Sequence, residues 1–226
     1  MKNRMIKFMG RTSFWSTALL ISLIFTVFVL PVLPIFWQRT LFRTLYSIIY
    51  LAAILSLEKR KNSLLILFFT TVIVEWGSGI FGFPVLLLIA KFFNSIFFLV
   101  IVVSLIRQIA TAKNVSLGVI LDSIAGYLLL GLVYSIFILF IFQADPGSFS
   151  YPNNTMGSGE NISTSIPLYF SFVTLATLGY GDMVPVEPYT RSISTFIAVS
   201  GQFYIAIIVA LLVGKFSARP RADNSP

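Results

Sequence analysis

Little in this chain can do side-chain chemistry. It has neither Cys nor His, which removes thiolate nucleophiles, imidazole bases, disulfides and the usual zinc ligands together. The acids Glu75, Asp122, Asp182 and Glu187 stand at no spacing that suggests a catalytic pair, so no enzyme is expected. Main-chain chemistry is another matter. In Thr177-Leu178-Gly179-Tyr180-Gly181-Asp182 two glycines occupy alternate positions. Glycine reaches positive φ without a Cβ clash, so this stretch can alternate left- and right-handed dihedrals and turn successive carbonyl oxygens to one axis. Neither a helix nor a strand does that. A column of such oxygens is a ligand set for a cation that has lost its water.

The elements around this stretch must be lipid-embedded. Of 226 residues, 57% are hydrophobic and 11% charged, with a mean hydropathy of +0.92; a soluble domain carries about 25% charged residues. Apolar runs over 14–37, 116–142 and 192–214 reach the roughly 20 residues needed to cross hydrocarbon. The net charge of +8 is not a nucleic-acid patch. It bunches at the ends of apolar runs in four clusters: Lys2/Arg4/Lys7/Arg11, Lys59/Arg60/Lys61, Arg107/Lys113 and Lys215/Arg219/Arg221. If all four face the cytoplasm, each neighbouring pair encloses an even number of crossings. The expected fold is an all-α membrane protein of six transmembrane helices with both termini cytoplasmic, in the plasma membrane.

A four-helix N-terminal membrane domain (1–113) then holds spans at about 14–37, 44–57, 63–80 and 84–106, the first of them uncleaved. It turns at "PVLPIFWQRT" and "GSGIFGFP". A second domain (114–217) holds an outer helix at 116–142, a short apolar helix at 166–177, the glycine stretch at 177–182 and an inner helix at 190–214, ahead of a short tail (218–226). Trp15, Trp37 and Trp76 fall at span ends, where an indole keeps its N–H among headgroups. The segment 166–177 is too short to cross, so it reads as re-entrant, which membranes tolerate only where protein or water surrounds the chain that follows.

Thr-x-Gly-Tyr-Gly-Asp after a short apolar helix and before a full span resembles the potassium-channel family, over roughly residues 116–216. The resemblance implies potassium-selective passive conduction, with K+ as the permeant ion and no cofactor. It places carbonyls of Thr177, Leu178, Gly179 and Tyr180 on the ion path as a selectivity filter ending at Gly181, replacing the hydration shell. The Thr177 hydroxyl would add the innermost oxygens, Tyr180 would pack outward, and Asp182 would sit at the mouth. The short helix would aim its C-terminal partial negative charge at a cavity below. One chain supplies one such segment, so closing a four-sided cage implies a homotetramer.

Some positions depart from the family pattern. Leu178 stands in for valine, Tyr169 and Phe170 for a tryptophan pair, and Val173 for a carboxylate found in some members. Phe170 cannot donate a hydrogen bond to Tyr180, so that brace is expected to be missing and inactivation to be altered. Gly201 falls at the family's hinge position, although a glycine there also serves close helix packing; Ile205 and Val209 share its face and are expected to line the cavity. Gln202 needs a neighbour at membrane depth. Lys91 could pair with Glu75 or each could reach headgroups separately, and Asp122 could pair with Lys113 or Lys215.

The fourth span carries only Lys91 and Arg107, too few charges for steep voltage sensing. The short stretch after the last span suggests a gating stimulus that is membrane-borne, supplied by an unidentified regulatory subunit, or absent. A non-selective cation channel would usually replace Tyr180, and a potassium-transporter membrane subunit would carry four degenerate loops; both are kept as alternatives.

Overall fold

The computed structural model describes residues 14–57, 62–81, 84–112, 115–150 and 165–217. The basic clusters at Lys2–Arg11 and Lys59–Lys61, together with Lys113, Arg219 and Arg221, lie outside them, as do most of the loop ahead of the short apolar helix and the tail. The described chain is mostly helical: α1 (Phe14–Val32), α2 (Ile35–Ser56), α3 (Asn62–Phe81), α4 (Pro84–Thr111), α5 (Leu117–Ala144), α6 (Ser165–Leu175) and α7 (Pro188–Ser217). A two-residue strand β1 (Phe149–Ser150) pairs antiparallel with β2 (Val184–Pro185).

Four of these helices, α1, α4, α5 and α7, are long and apolar enough to cross a membrane; α3 and α6 contain shorter apolar stretches. This is a membrane protein. Helix α2 has the length but opens with Gln38, Arg39, Thr40 and Arg43, which lowers its hydropathy. The first turn differs from expectation. Rather than running to residue 37, α1 ends at Val32, and α2 starts at Ile35 instead of residue 44. The cause is the proline pair. Helix α1 widens into a π turn over Phe25–Val29 just before Pro31, whose ring crowds the carbonyl four residues back and cannot supply an N–H. Pro34 then sits extended as the residue before α2, and Gln38 Nε2 closes the corner by donating to the Pro31 and Leu33 carbonyls at 3.2 and 2.7 Å.

Helix α5 is the shared wall, packed on α4 along one side and on α6 and α7 along the other. Its Ser116 cap accepts from the Val119 N–H at 3.4 Å, which satisfies one orphan donor of the first turn. One apolar cluster joins α1, α2, α4 and α5 around Tyr50, Phe97 and Phe98. The second joins α5, α6 and α7 around Tyr134, Phe142, Phe170 and Ile197.

Two polar junctions cross these clusters. On the first, Tyr50 donates to Asn94 Oδ1, Asn94 Nδ2 donates to Glu75 Oε2 at 2.7 Å, and Arg43 Nε lies 3.9 Å from Glu75 Oε1. Glu75 is thus held by α2 and α4 together, and its charge also reaches Lys91. On the second, Lys215 of α7 donates to the carbonyls of Ile109, Ala110 (2.8 Å) and Ala112 (2.6 Å) at the end of α4. Of the two partners considered for Asp122, Lys113 lies outside the described residues and Lys215 is engaged at the end of α4; Asp122 Oδ2 accepts from Gln108 Nε2 at 2.9 Å. The geometry explains the choice, because the last carbonyls of a helix have no internal partner and an ammonium offers three donors near the negative end of the dipole. Lys215→Met is expected to destabilise the folded chain by about 1–2 kcal/mol, read as a lower thermal unfolding midpoint in detergent; an unchanged midpoint would show that the cap contributes nothing.

Candidate functional site

Helix α6 has 11 residues and a length of about 16 Å, roughly half the hydrocarbon thickness. It ends at Leu175, two residues short of the expected 177, for a local reason. The Thr177 N–H bonds the Thr174 carbonyl at 3.0 Å and the Leu178 N–H bonds the Val173 carbonyl at 2.9 Å, while Thr177 adopts φ +57°. These are the two bonds and the left-handed residue of a Schellman stop. That position normally takes glycine; a β-branched residue there is strained. Threonine adopts this conformation at a cost of about 1–2 kcal/mol.

Past the stop, the backbone alternates. Among the described residues, Thr177 (+57°), Gly179 (+55°) and Gly181 (+78°) have positive φ, whereas Leu178 and Tyr180 between them do not. The alternation expected from the glycine spacing is therefore present, with Thr177 as a third member. The strand's side chains stand clear of the rest of the subunit, Leu178 being 56% and Tyr180 67% exposed.

Both ends of this strand are tied to helices. At the inner end, Gln202 Nε2 of α7 donates to Thr177 Oγ1 at 3.3 Å, the neighbour that a mid-membrane amide requires. Gly201 is buried beside it, and a Cβ there would lie 2.3 Å from the Leu175 carbonyl oxygen. The inner helix and the end of α6 thus meet backbone to backbone, which supports the packing reading of this glycine. One and two turns on, Ile205 and Val209 are 43% and 52% exposed.

At the outer end the bond from position 170 to Tyr180 is missing, and a different bond holds the segment. Phe170 indeed donates nothing; it packs edge-on against Phe149 at 4.9 Å. Tyr169 supplies a separate bond, donating to Asp182 Oδ2 at 2.5 Å. That hydrogen bond pushes the phenol up to about 12. The bond favours the protonated phenol, so Tyr169 keeps the proton it donates through neutral pH and past its ordinary value of 10.0. Sequence reasoning missed this contact; the available signal was that Tyr169 keeps a donor where Phe170 has none. The β1–β2 pairing had no such signal, since two residues are too short for a strand pattern to register.

Comparison with known proteins bears on the same region. Residues 124–218 match the family model described as an ion channel, a range covering most of α5, all of α6, the alternating strand and α7. Over that range the chain is similar to ion-channel domains. The potassium voltage-gated channel protein shk-1 of Caenorhabditis elegans is 38% identical over 70 residues, covering 30% of this chain and 13% of that protein. The human A-type voltage-gated potassium channel KCND3 is 35% identical over 108 residues, 45% of this chain and 15% of its own length; its rat counterpart gives the same figures. The chain therefore spans only a small part of these relatives. No solved structure matches it.

Proposed function

We propose that the protein is a potassium-selective channel in which four copies surround one ion path, with Thr177, Leu178, Gly179, Tyr180 and Gly181 forming the filter and Asp182 its mouth. The observation that carries this reading is the alternating sign of φ at Thr177, Gly179 and Gly181, because that backbone aims consecutive carbonyls the same way. A desolvated cation needs such oxygens, and one strand provides only one side of a cage. The exposure of Leu178 and Tyr180 fits a strand whose remaining neighbours come from other subunits. K+ is then the substrate in transit, no resident cofactor is needed, and lipid covers the remaining apolar surface.

The layout proposed is six spans with α6 re-entrant, both termini cytoplasmic, and the filter opening outward in the plasma membrane. The positions of Arg43, Glu75 and Lys91 support it: each lies a similar distance from the same end of the α2, α3 and α4 bundle, as alternating crossings require. Gating is proposed to be at most weakly voltage-dependent, although the relatives are named for voltage gating, because α4 offers only Lys91 and Arg107 and each elementary charge moved yields about 2.3 kcal/mol per 100 mV. A regulatory subunit would then supply the stimulus.

The deciding experiment is the reversal potential of purified protein in a planar bilayer under opposed potassium and sodium gradients. A value near the potassium equilibrium potential is expected, and one near zero would instead support a non-selective cation channel. Gln202 offers a second check. Gln202→Leu removes the donor at the Thr177 hydroxyl, and a change in single-channel conductance of a few-fold is expected, in line with about 1 kcal/mol for one neutral hydrogen bond. An unchanged conductance would show that the innermost hydroxyl is not tuned from α7.

A further inference from the structure

The segment that follows the filter is not free. Between Asp182 and the start of α7 it passes through β2, and the residues just after α5 grip it along its length. Phe149 and Ser150 pair with Pro185 and Val184 respectively. The Ser148 carbonyl accepts from the Val186 N–H at 3.0 Å and from Thr190 Oγ1 at 3.2 Å. Tyr189 donates to Asp145 Oδ2 at 2.8 Å, and the other Asp145 oxygen accepts from the Gly147 N–H at 3.2 Å, which fixes the turn.

Phe149 is the keystone. Its ring is 3% exposed, stacked on Phe142 of α5 and edge-on to Phe170 of α6, both at 4.9 Å. One side chain thereby joins the outer helix, the helix before the filter and, through its backbone, the strand after it. Met183, directly after Asp182, is buried in the same cluster. The filter strand therefore has two anchors: the helix stop at Thr177 within and this clasp without.

We propose that the clasp formed by residues 145–150 on residues 183–190 is a positioning device for conduction, with Phe149 as its positioning residue, and that its integrity sets how long the filter stays conducting. The inference rests on reading residues 177–182 as the potassium path. An extended, exposed segment keeps its carbonyls aligned only while both ends are held. Releasing the outer end lets the Gly181 region turn away, and glycine offers no steric resistance to that turn.

The test uses the full chain in planar bilayers during sustained potassium current. In Phe149→Ala, current is expected to decay on the order of tenfold faster, since emptying a buried aromatic site removes more interaction than one tenfold step requires. Initial conductance and reversal potential should match the unmodified protein, and Phe149→Tyr should restore slow decay. A second variant works in the opposite direction and does not depend on tolerating a cavity. Ser150 and Val184 are direct antiparallel partners, at a separation suited to a disulfide, and the chain has no other cysteine. Ser150→Cys with Val184→Cys should decay more slowly when oxidised and return to the original rate on reduction. If neither variant changes the decay of a potassium-selective current, the clasp has no positioning role. A reversal potential near zero in the unmodified protein would remove the filter reading, and this inference with it.

Discussion

Gly181→Ala is expected to abolish potassium current while leaving the isolated subunit folded. Gly181 has φ +78°, and a Cβ built there meets nothing within 4 Å in its own chain, so the penalty is conformational and not a clash. An L-residue pays about 1–2 kcal/mol for that region. In the proposed four-fold assembly the cost would recur in every subunit, reaching about 4–8 kcal/mol for the ring. The cheapest relief is to rotate the peptide, which takes a carbonyl off the axis in all four copies at once. Gly179→Ala, at φ +55° and equally unobstructed, should behave alike. Potassium flux from reconstituted vesicles, with the assembly state checked by crosslinking, reads the effect. Full flux from an assembled Gly181→Ala protein would contradict the main-chain account of the ion path.

Gly201→Ala should act through a different mechanism and at a different place. Here the backbone is helical and unstrained, but the new methyl would sit 2.3 Å from the Leu175 carbonyl oxygen and 2.8 Å from Leu175 Cδ1. One of those atoms is backbone at the end of α6, so the contact cannot be relieved by a rotamer change. Overpacking of this sort costs about 1–3 kcal/mol, and the displacement is passed directly to the helix stop that sets Thr177. A lower unfolding midpoint and reduced current are expected together. A hinge role predicts the opposite pairing, with stability intact and opening altered. Measuring thermal unfolding and single-channel open probability on one preparation separates the two.

Several close approaches follow the same logic as Gly201. Gly131 of α5 leaves room for the Phe172 ring and Gly126 for the Tyr204 hydroxyl, each 2.3 Å from where a Cβ would stand; Tyr204 then donates to the Ser123 carbonyl at 2.7 Å. Helices α5, α6 and α7 pack together through these notches. Nothing in the spacing of glycines along α5 tells which ring each one admits.

Composition and local pattern alone determined that the chain lives in lipid, that α5 and α7 are long apolar helices, that α6 is too short to cross, and that Gly179 and Gly181 alternate. Those properties depend on residue type and nearest neighbours: apolar length, basic residues at run ends, and the missing Cβ of glycine. Only the tertiary structure decided what the remaining polar groups do. It set Lys215 on the end of α4, gave Asp122 to Gln108 and Glu75 to Asn94 and Arg43, placed Tyr169 on Asp182, and paired the two short strands β1 and β2. Each of these is a choice among partners far apart in sequence, and it is made by which unsatisfied donor and acceptor the packed helices bring within about 3 Å of each other.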